Sequence, residues 1–244
     1  MSVSMRQVDK VERFLRAQVA EHGSRIRPRS SAGETRPFVT ISRQSGAGAH
    51  ELADTLVRVF SRQPDSGLFG VWQVFDRELC EMVATDPQFS GWLDSLIDEE
   101  YPSRMDSFFG QVIRSAPDRA RLFSQVSRVV RAVATIGKAI IIGRGGSEVT
   151  RDMVSGVSIR LTAPRSARTR RIMEQRGMKT SEARRAMRRL DRGRARLVED
   201  RFGVRIDDPD LYDLAFDAGN TTFEEMAEVV AALLRSRAGV KQDQ

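Results

Sequence analysis

The sequence predicts a three-layer α/β fold, a parallel sheet with helices on both faces. Two strand–glycine junctions carry that expectation. The first is Phe38-Val-Thr-Ile-Ser-Arg-Gln-Ser-Gly-Ala-Gly-Ala-His-Glu51. Five strand-forming residues, Phe38 to Ser42, enter the turn Gly46-Ala47-Gly48, and a helical pattern follows with Leu52, Leu56 and Phe60 on one face, flanked by Ala53 and Val57. The second is Ala139-Ile-Ile-Ile142, a continuous apolar run of the kind a central parallel strand needs, feeding Gly143-Arg144-Gly145-Gly146.

The first junction has the layout of a phosphate-binding loop. A glycine turn aims backbone N–H groups at an anion, and the helix N-terminus adds partial positive charge. Backbone N–H groups of Ala47, Gly48, Ala49 and His50 would form part of that cradle. The pattern G-x-x-x-x-G-K-[ST] asks for Gly at 43, Lys at 49 and Ser or Thr at 50. This chain has Arg43, Ala49 and His50, and only Gly48 falls in place. The alternative is an ordinary tight turn from a strand into its helix.

The remaining elements follow in order. Val8, Val11, Phe14, Leu15 and Val19 suit a short amphipathic helix, and Gly23 to Pro37 a turn-rich basic linker. Residues 1–36 therefore read as an appendage, either a partly ordered tail or a docking helix for a partner or twin subunit. Val71-Trp-Gln-Val-Phe75 reads as a strand ending at Asp76-Arg77-Glu78. Asp76 at a carboxyl strand end would orient a substrate or help hold Mg²⁺ through water, or simply cap the next helix. Residues 78–136 read as mostly helical. Val157, Ile159 and Leu161 alternate as a strand, and two arginine-rich helical patterns follow Pro164. Asp210 to Asp217 holds a final strand, and Phe223, Met226, Val229, Val230, Leu233 and Leu234 make a closing helix.

Charge is concentrated in one place. Residues 165–205 hold fourteen Arg and one Lys against five acidic residues, a surplus of +10 that exceeds the +7 of the whole chain. Such a surplus repels itself unless an anion is present, whereas a balanced solvated face would not. Nucleic-acid binding is disfavoured, since the segment has few aromatics for stacking and no recognised motif. Cys80 is the only cysteine, which excludes an internal disulfide and fits a reducing cytoplasm. With only His22 and His50 beside it, a Cys/His metal cluster is also excluded. Cys80 reads as a small buried hydrophobe. No apolar run approaches membrane-crossing length, and the start Met1-Ser-Val-Ser-Met-Arg shows no secretory signal.

The loop Ser42-Arg-Gln-Ser-Gly-Ala-Gly-Ala-His-Glu-Leu52 resembles the I-S-R-x-x-G-S-G-G-R-x-I loop of the cytidylate kinase-like family. That family is an offshoot of bacterial cytidylate kinases, whose own loop reads P-S-G-A-G-K-G-T, and the offshoot tends to lack the Lys. Gly143-Arg144-Gly145 is similar to its G-R-G, where true cytidylate kinases have G-R-D. Asp191-Arg192-x-Arg194, then Asp208-Pro-x-x-Tyr212-Asp213-Leu and Thr221-Thr222, is similar to its D-x-x-R-A … D-P-x-x-Y-D-L-x-I-N-T ending. The matches span residues 38 to about 236 in the right order.

The resemblance implies a P-loop kinase fold with a helical acceptor-binding insert and an Arg-rich lid. It places the domain at 37–237, with an extension at 1–36 and a polar tail at 238–244. It implies ATP·Mg²⁺-dependent phosphorylation of a nucleoside monophosphate, CMP or dCMP. The alternative is a nucleotide-binding regulatory protein of this fold with impaired catalysis. Ser45, Gly46, Ala47, Gly48, Ala49 and His50 would bind the donor phosphates. Arg43, Arg192 and Arg194 would jointly replace the Lys charge in catalysis. Asp76, Arg144 and Asp191 would serve the acceptor side, with Arg104 or Arg114 reaching it from the insert. Arg144 otherwise reads as an exposed charge beside a turn. Self-association, if any, falls to the N-terminal extension.

Overall fold

The computed structural model describes residues 36–85 and 118–239. The appendage up to residue 35, the segment 86–117 with Arg104 and Arg114, where the acceptor insert was expected, and the last five residues lie outside them.

Apolar runs make the strands. They are β1 (Phe38–Arg43), β2 (Gln73–Phe75), β3 (Ala139–Ile142), β4 (Gly156–Thr162) and β5 (Leu214–Asp217). All pair in parallel, in the order β2-β3-β1-β4-β5. β1 is central, with Val39 in register with Ile140 on one side and Val157 on the other. The segments that follow β1 and β3 therefore emerge side by side at the carboxyl edge, where an open α/β sheet binds ligands.

The helices are α1 (Ala49–Phe60), α2 (Ser66–Phe69), α3 (Arg77–Thr85), α4 (Asp118–Ile136), α5 (Gly146–Val149), α6 (Arg165–Arg176), α7 (Thr180–Phe202) and α8 (Phe223–Gly239), with a 3₁₀ turn at Pro209–Leu211. Alternation along the strands divides the core in two. Ile140 and Ile142 join Leu52, Leu56 and Phe60 of α1 and Met226 and Val230 of α8. Ala139 and Ile141 point the other way, onto Leu79 and Val83 of α3 and Val126, Val130 and Val133 of α4. Burying each large aliphatic contributes about 1.5–3 kcal/mol, so both faces must be covered. The expected three-layer α/β fold, a parallel sheet with helices on both faces, is the fold observed. Among the described residues no helix is long and apolar enough to cross a membrane.

Some elements depart from expectation. β2 begins at Gln73, because β3 offers its first partner at Ala139; Val71 lies before that register and is 73% exposed. Val229 on α8 is also exposed. The stretch after Gly145 coils into α5, a one-turn helix with no periodic pattern long enough to announce it. Cys80 is buried as expected, and burial pushes its pKa up to about 12, which keeps the thiol protonated and inert.

Candidate active site

The loop after β1 is held by backbone geometry that its residues dictate. Gly46 and Gly48 have φ of +77° and +99°, in the left-handed region that glycine enters without cost. A Cβ on Gly46 would stand 2.6 Å from the Arg168 carbonyl oxygen, and one on Gly48 would stand 2.5 Å from the Phe223 ring. The turn is thus both twisted and closely covered. Gly48 caps α1 with no side-chain bond, and the N–H groups of Gly48, Ala49 and His50 find no partner among the described residues. Three unsatisfied donors at a helix N-terminus form an anion site. The His50 side chain is exposed, so its contribution there is its backbone N–H.

The arginine-rich arm, α6 and α7, folds onto this loop. Ile172, Ala183 and Met187 bury a small core between the two helices. One face of the arm then grips the loop. Arg168 Nη1 donates to the Ser45 carbonyl at 3.3 Å and to Asp191 Oδ2 at 2.7 Å. Arg171 donates to the Gly46 carbonyl at 2.8 Å. Arg194 donates to Ser45 Oγ at 2.6 Å. Asp191 Oδ1 accepts the Ser45 N–H at 2.7 Å, so one carboxylate joins loop and arm.

Beside the loop, β3 ends in a strained kink. Gly143, Arg144 and Gly145 have φ of +78°, +57° and +68°. A left-handed Arg is costly, and the two glycines that flank it carry the same twist without penalty. A Cβ on Gly143 would collide with the Arg43 guanidinium. The kink brings Arg144 and Arg43 to one cavity of about 420 Å³, which Arg194 also lines. Arg144 pairs with Glu81 of α3 at 2.9 Å. The Arg43 guanidinium has no hydrogen bond or ion pair among the described residues, although its backbone pairs in the sheet. Burial first, then the charges of Arg194 and Arg144, pull its pKa down to about 9, with Asp76 opposing. Burial also lowers the pKa of Arg144 and of Arg194, each offset in part by its own carboxylate, Glu81 or Asp191. Three crowded guanidiniums around one cavity describe a site built for a polyanion.

Of the residues singled out from sequence, Arg43, Ser45, Arg144, Asp191 and Arg194 lie at this loop and cavity. Asp76 accepts the Leu79 N–H at 3.0 Å through Oδ1, the helix-capping role, while its charge reaches Arg43. Arg192 is exposed on α7 and makes no hydrogen bond or ion pair among the described residues. Several residues escaped sequence reading. Arg168 and Arg171 sit three apart on α6, a spacing that only the loop's position makes meaningful. Arg160 donates to Ser42 Oγ at 2.8 Å, and the Tyr212 hydroxyl bonds the same oxygen at 3.0 Å. Tyr212 stood inside the D-P-x-x-Y-D-L match, which was the available signal. Glu148 sits on the unforeseen α5.

Residues 38–220 match the family model described as the cytidylate kinase-like family. No curated protein matches the chain. Among solved structures it is similar to an uncharacterized protein from Eubacterium ventriosum, at 18% identity and a TM-score of 0.60, covering 82% of this chain and 99% of that one. A shikimate kinase from Bacteroides thetaiotaomicron aligns more loosely, at 14% identity and a TM-score of 0.43, over 81% of this chain and 98% of its own. So does TT1252 from Thermus thermophilus, at 17% identity and a TM-score of 0.44, over 82% and 96%. The E. ventriosum likeness supports the fold, and the match over residues 38–220 supports more: the chain belongs to the cytidylate kinase-like family.

Proposed function

We propose that the protein is an ATP-dependent phosphotransferase that phosphorylates a nucleoside monophosphate, with CMP or dCMP as the acceptor its family suggests. One observation carries the reading. The guanidiniums of Arg43, Arg144 and Arg194 converge on one cavity, Arg43 faces it with no ion pair among the described residues, and Arg194 ties that cavity through Ser45 to the glycine loop with its unsatisfied N–H groups.

ATP suits the loop because Gly48, Ala49 and His50 offer backbone donors at the N-terminus of α1. Mg²⁺ would come with the nucleotide and neutralise charge between its phosphates. Among the described residues no group of three His, Cys, Asp or Glu could hold a metal by itself. The triphosphate would then supply most of its ligands, and Asp76, whose Oδ2 has no partner among the described residues, the nearby carboxylate.

In the reaction an acceptor phosphate oxygen attacks the γ-phosphorus of ATP. The bond to the β–γ bridging oxygen breaks, ADP leaves, and a nucleoside diphosphate forms. Charge spreads over the oxygens in flight, so positioned cations do most of the work. Arg43 and Arg194 would stabilise that charge from the loop side, and Arg144 would hold the acceptor phosphate. Arg192 would join them only if α7 turns when the arm closes.

The regulatory alternative draws on a specific observation. Position 49 is Ala, and the Asp191 carboxylate already occupies the Ser45 N–H. The decisive measurement is ADP release across a panel of nucleoside monophosphates, beside ATP calorimetry. Turnover with CMP or dCMP is expected. ATP binding with no turnover on any acceptor would give the function to the regulatory reading. In the active case, Arg144→Ala should raise the acceptor KM at least tenfold and leave the ATP KM nearly unchanged.

A further inference from the structure

Arg43, Arg144 and Arg194 bring cationic groups to the cavity lining, and Phe123, Val126 and Leu211 give apolar wall. Glu148 of α5 also lines it. The Glu148 side chain is only 8% exposed, and its Oε1 is shut from solvent with no hydrogen-bond partner. The other oxygen, Oε2, has only a 3.5 Å contact with Arg151, itself 58% exposed. Burial raises the Glu148 pKa, Arg151 opposes the shift, and Asp208 adds to it. An acceptor-only oxygen left unsatisfied in a buried place costs free energy until a donor arrives. The fold maintains this cost, and among the described residues the carboxylate has no partner closer than Arg151.

We propose that Glu148 is a specificity-determining residue that accepts a hydrogen bond from a donor group on the acceptor, at the part of the molecule away from its phosphate. The inference rests on the proposed function for the identity of that acceptor. The phosphate lies against the guanidiniums, the ring against the apolar wall, and an amino or hydroxyl donor meets the Glu148 carboxylate, whose side chain turns toward the cavity to accept it. The donor has two chemical sources, the exocyclic amino group of a base or the 2′-hydroxyl of a ribose. Molecules with a phosphate but no such donor lose the contact, and a site that buries an unpaired polar atom rejects them strongly.

The test is calorimetry of CMP, dCMP and ribose 5-phosphate with the wild-type protein, Glu148→Ala and the near-isosteric Glu148→Gln. Thermal melts of both variants report folding. Glu148→Ala should weaken CMP binding at least tenfold, with Glu148→Gln intermediate because its carbonyl still accepts. Loss for CMP and dCMP, with ribose 5-phosphate unaffected, assigns the donor to the base. Loss for CMP and ribose 5-phosphate, with dCMP unaffected, assigns it to the sugar 2′-hydroxyl. Equal affinities in wild type and Glu148→Ala for all three would overturn the proposal. So would equal loss for all three, which marks a structural role, and so would wild-type protein that binds none of them. Binding needs no turnover, so ADP release in the same samples judges the kinase reading separately.

Discussion

Arg43 concentrates the tension between stability and function in this site. It is a guanidinium held among Arg194, Arg144 and Arg160, with Asp76 alone opposing, and its pKa is pulled down to about 9. A cation whose folded pKa lies below its unfolded value keeps its proton to higher pH when the chain unfolds. Below about pH 9 its charge therefore subtracts from stability. Removing that charge should stabilise the ligand-free protein, the usual exchange where a site is built for a ligand. Arg43→Met should raise Tm at pH 7 by about 2–4 °C, equivalent to roughly 1 kcal/mol for a domain of this size. The same variant should lose most of the stabilisation that nucleotide gives the wild type. Paired melts with and without ATP check both halves, and a lower ligand-free Tm for Arg43→Met would show that the cation is satisfied.

The arm of α6 and α7 behaves as a clasp whose pin is one carboxylate. Asp191 accepts from the Ser45 N–H and receives Arg168 at 2.7 Å and Arg194 at 3.4 Å. Asp191→Ala leaves the Ser45 N–H unsatisfied and both guanidiniums unneutralised. The expected cost is about 1–3 kcal/mol of stability, with faster amide exchange at Ser45 and along α7. Unchanged exchange would mean that Arg171 and the small apolar contacts hold the arm alone. The clasp also shows what the sequence could reveal. β1, β3 and β4 were legible because a buried parallel strand must be continuously or alternately apolar. The two junctions were legible because glycine enters their left-handed backbone without cost and so clusters there. The arm's helices were legible as arginine-rich periods, but not which arginines face the loop. Arg168 and Arg192 look alike in sequence, and contacts 123 and 23 residues apart decide that Arg168 bridges Ser45 and Asp191 while Arg192 meets solvent. Glu148 was illegible for a related reason: a one-turn helix has no period, and a buried unpartnered oxygen is a property of packing.

Taken whole, the molecule sets a sheet edge and a cationic arm around one cavity next to a glycine loop, and it does so without the lysine that loops of this layout usually carry. The charge must then come from elsewhere. Arg43, one residue past Ser42 at the end of β1, and Arg194, bonded to Ser45 Oγ, are the two guanidiniums placed to supply it. Arg43→Ala and Arg194→Ala should each lower kcat by roughly 10²-fold, since a preorganised charge at the transferring group contributes several kcal/mol. ATP affinity should fall much less, because charge aimed at the transition state contributes less to the ground state. Ala49→Lys restores a cation to the start of α1 and should recover part of the kcat lost in Arg43→Ala. It should add little to the wild type, where the site is already crowded with positive charge. Arg192→Ala separates two pictures of the arm: a drop in kcat requires α7 to turn inward during the cycle, and an unchanged kcat keeps that guanidinium in solvent. Intact kcat in both Arg43→Ala and Arg194→Ala would end the idea that arginines stand in for the lysine, even with the enzyme active.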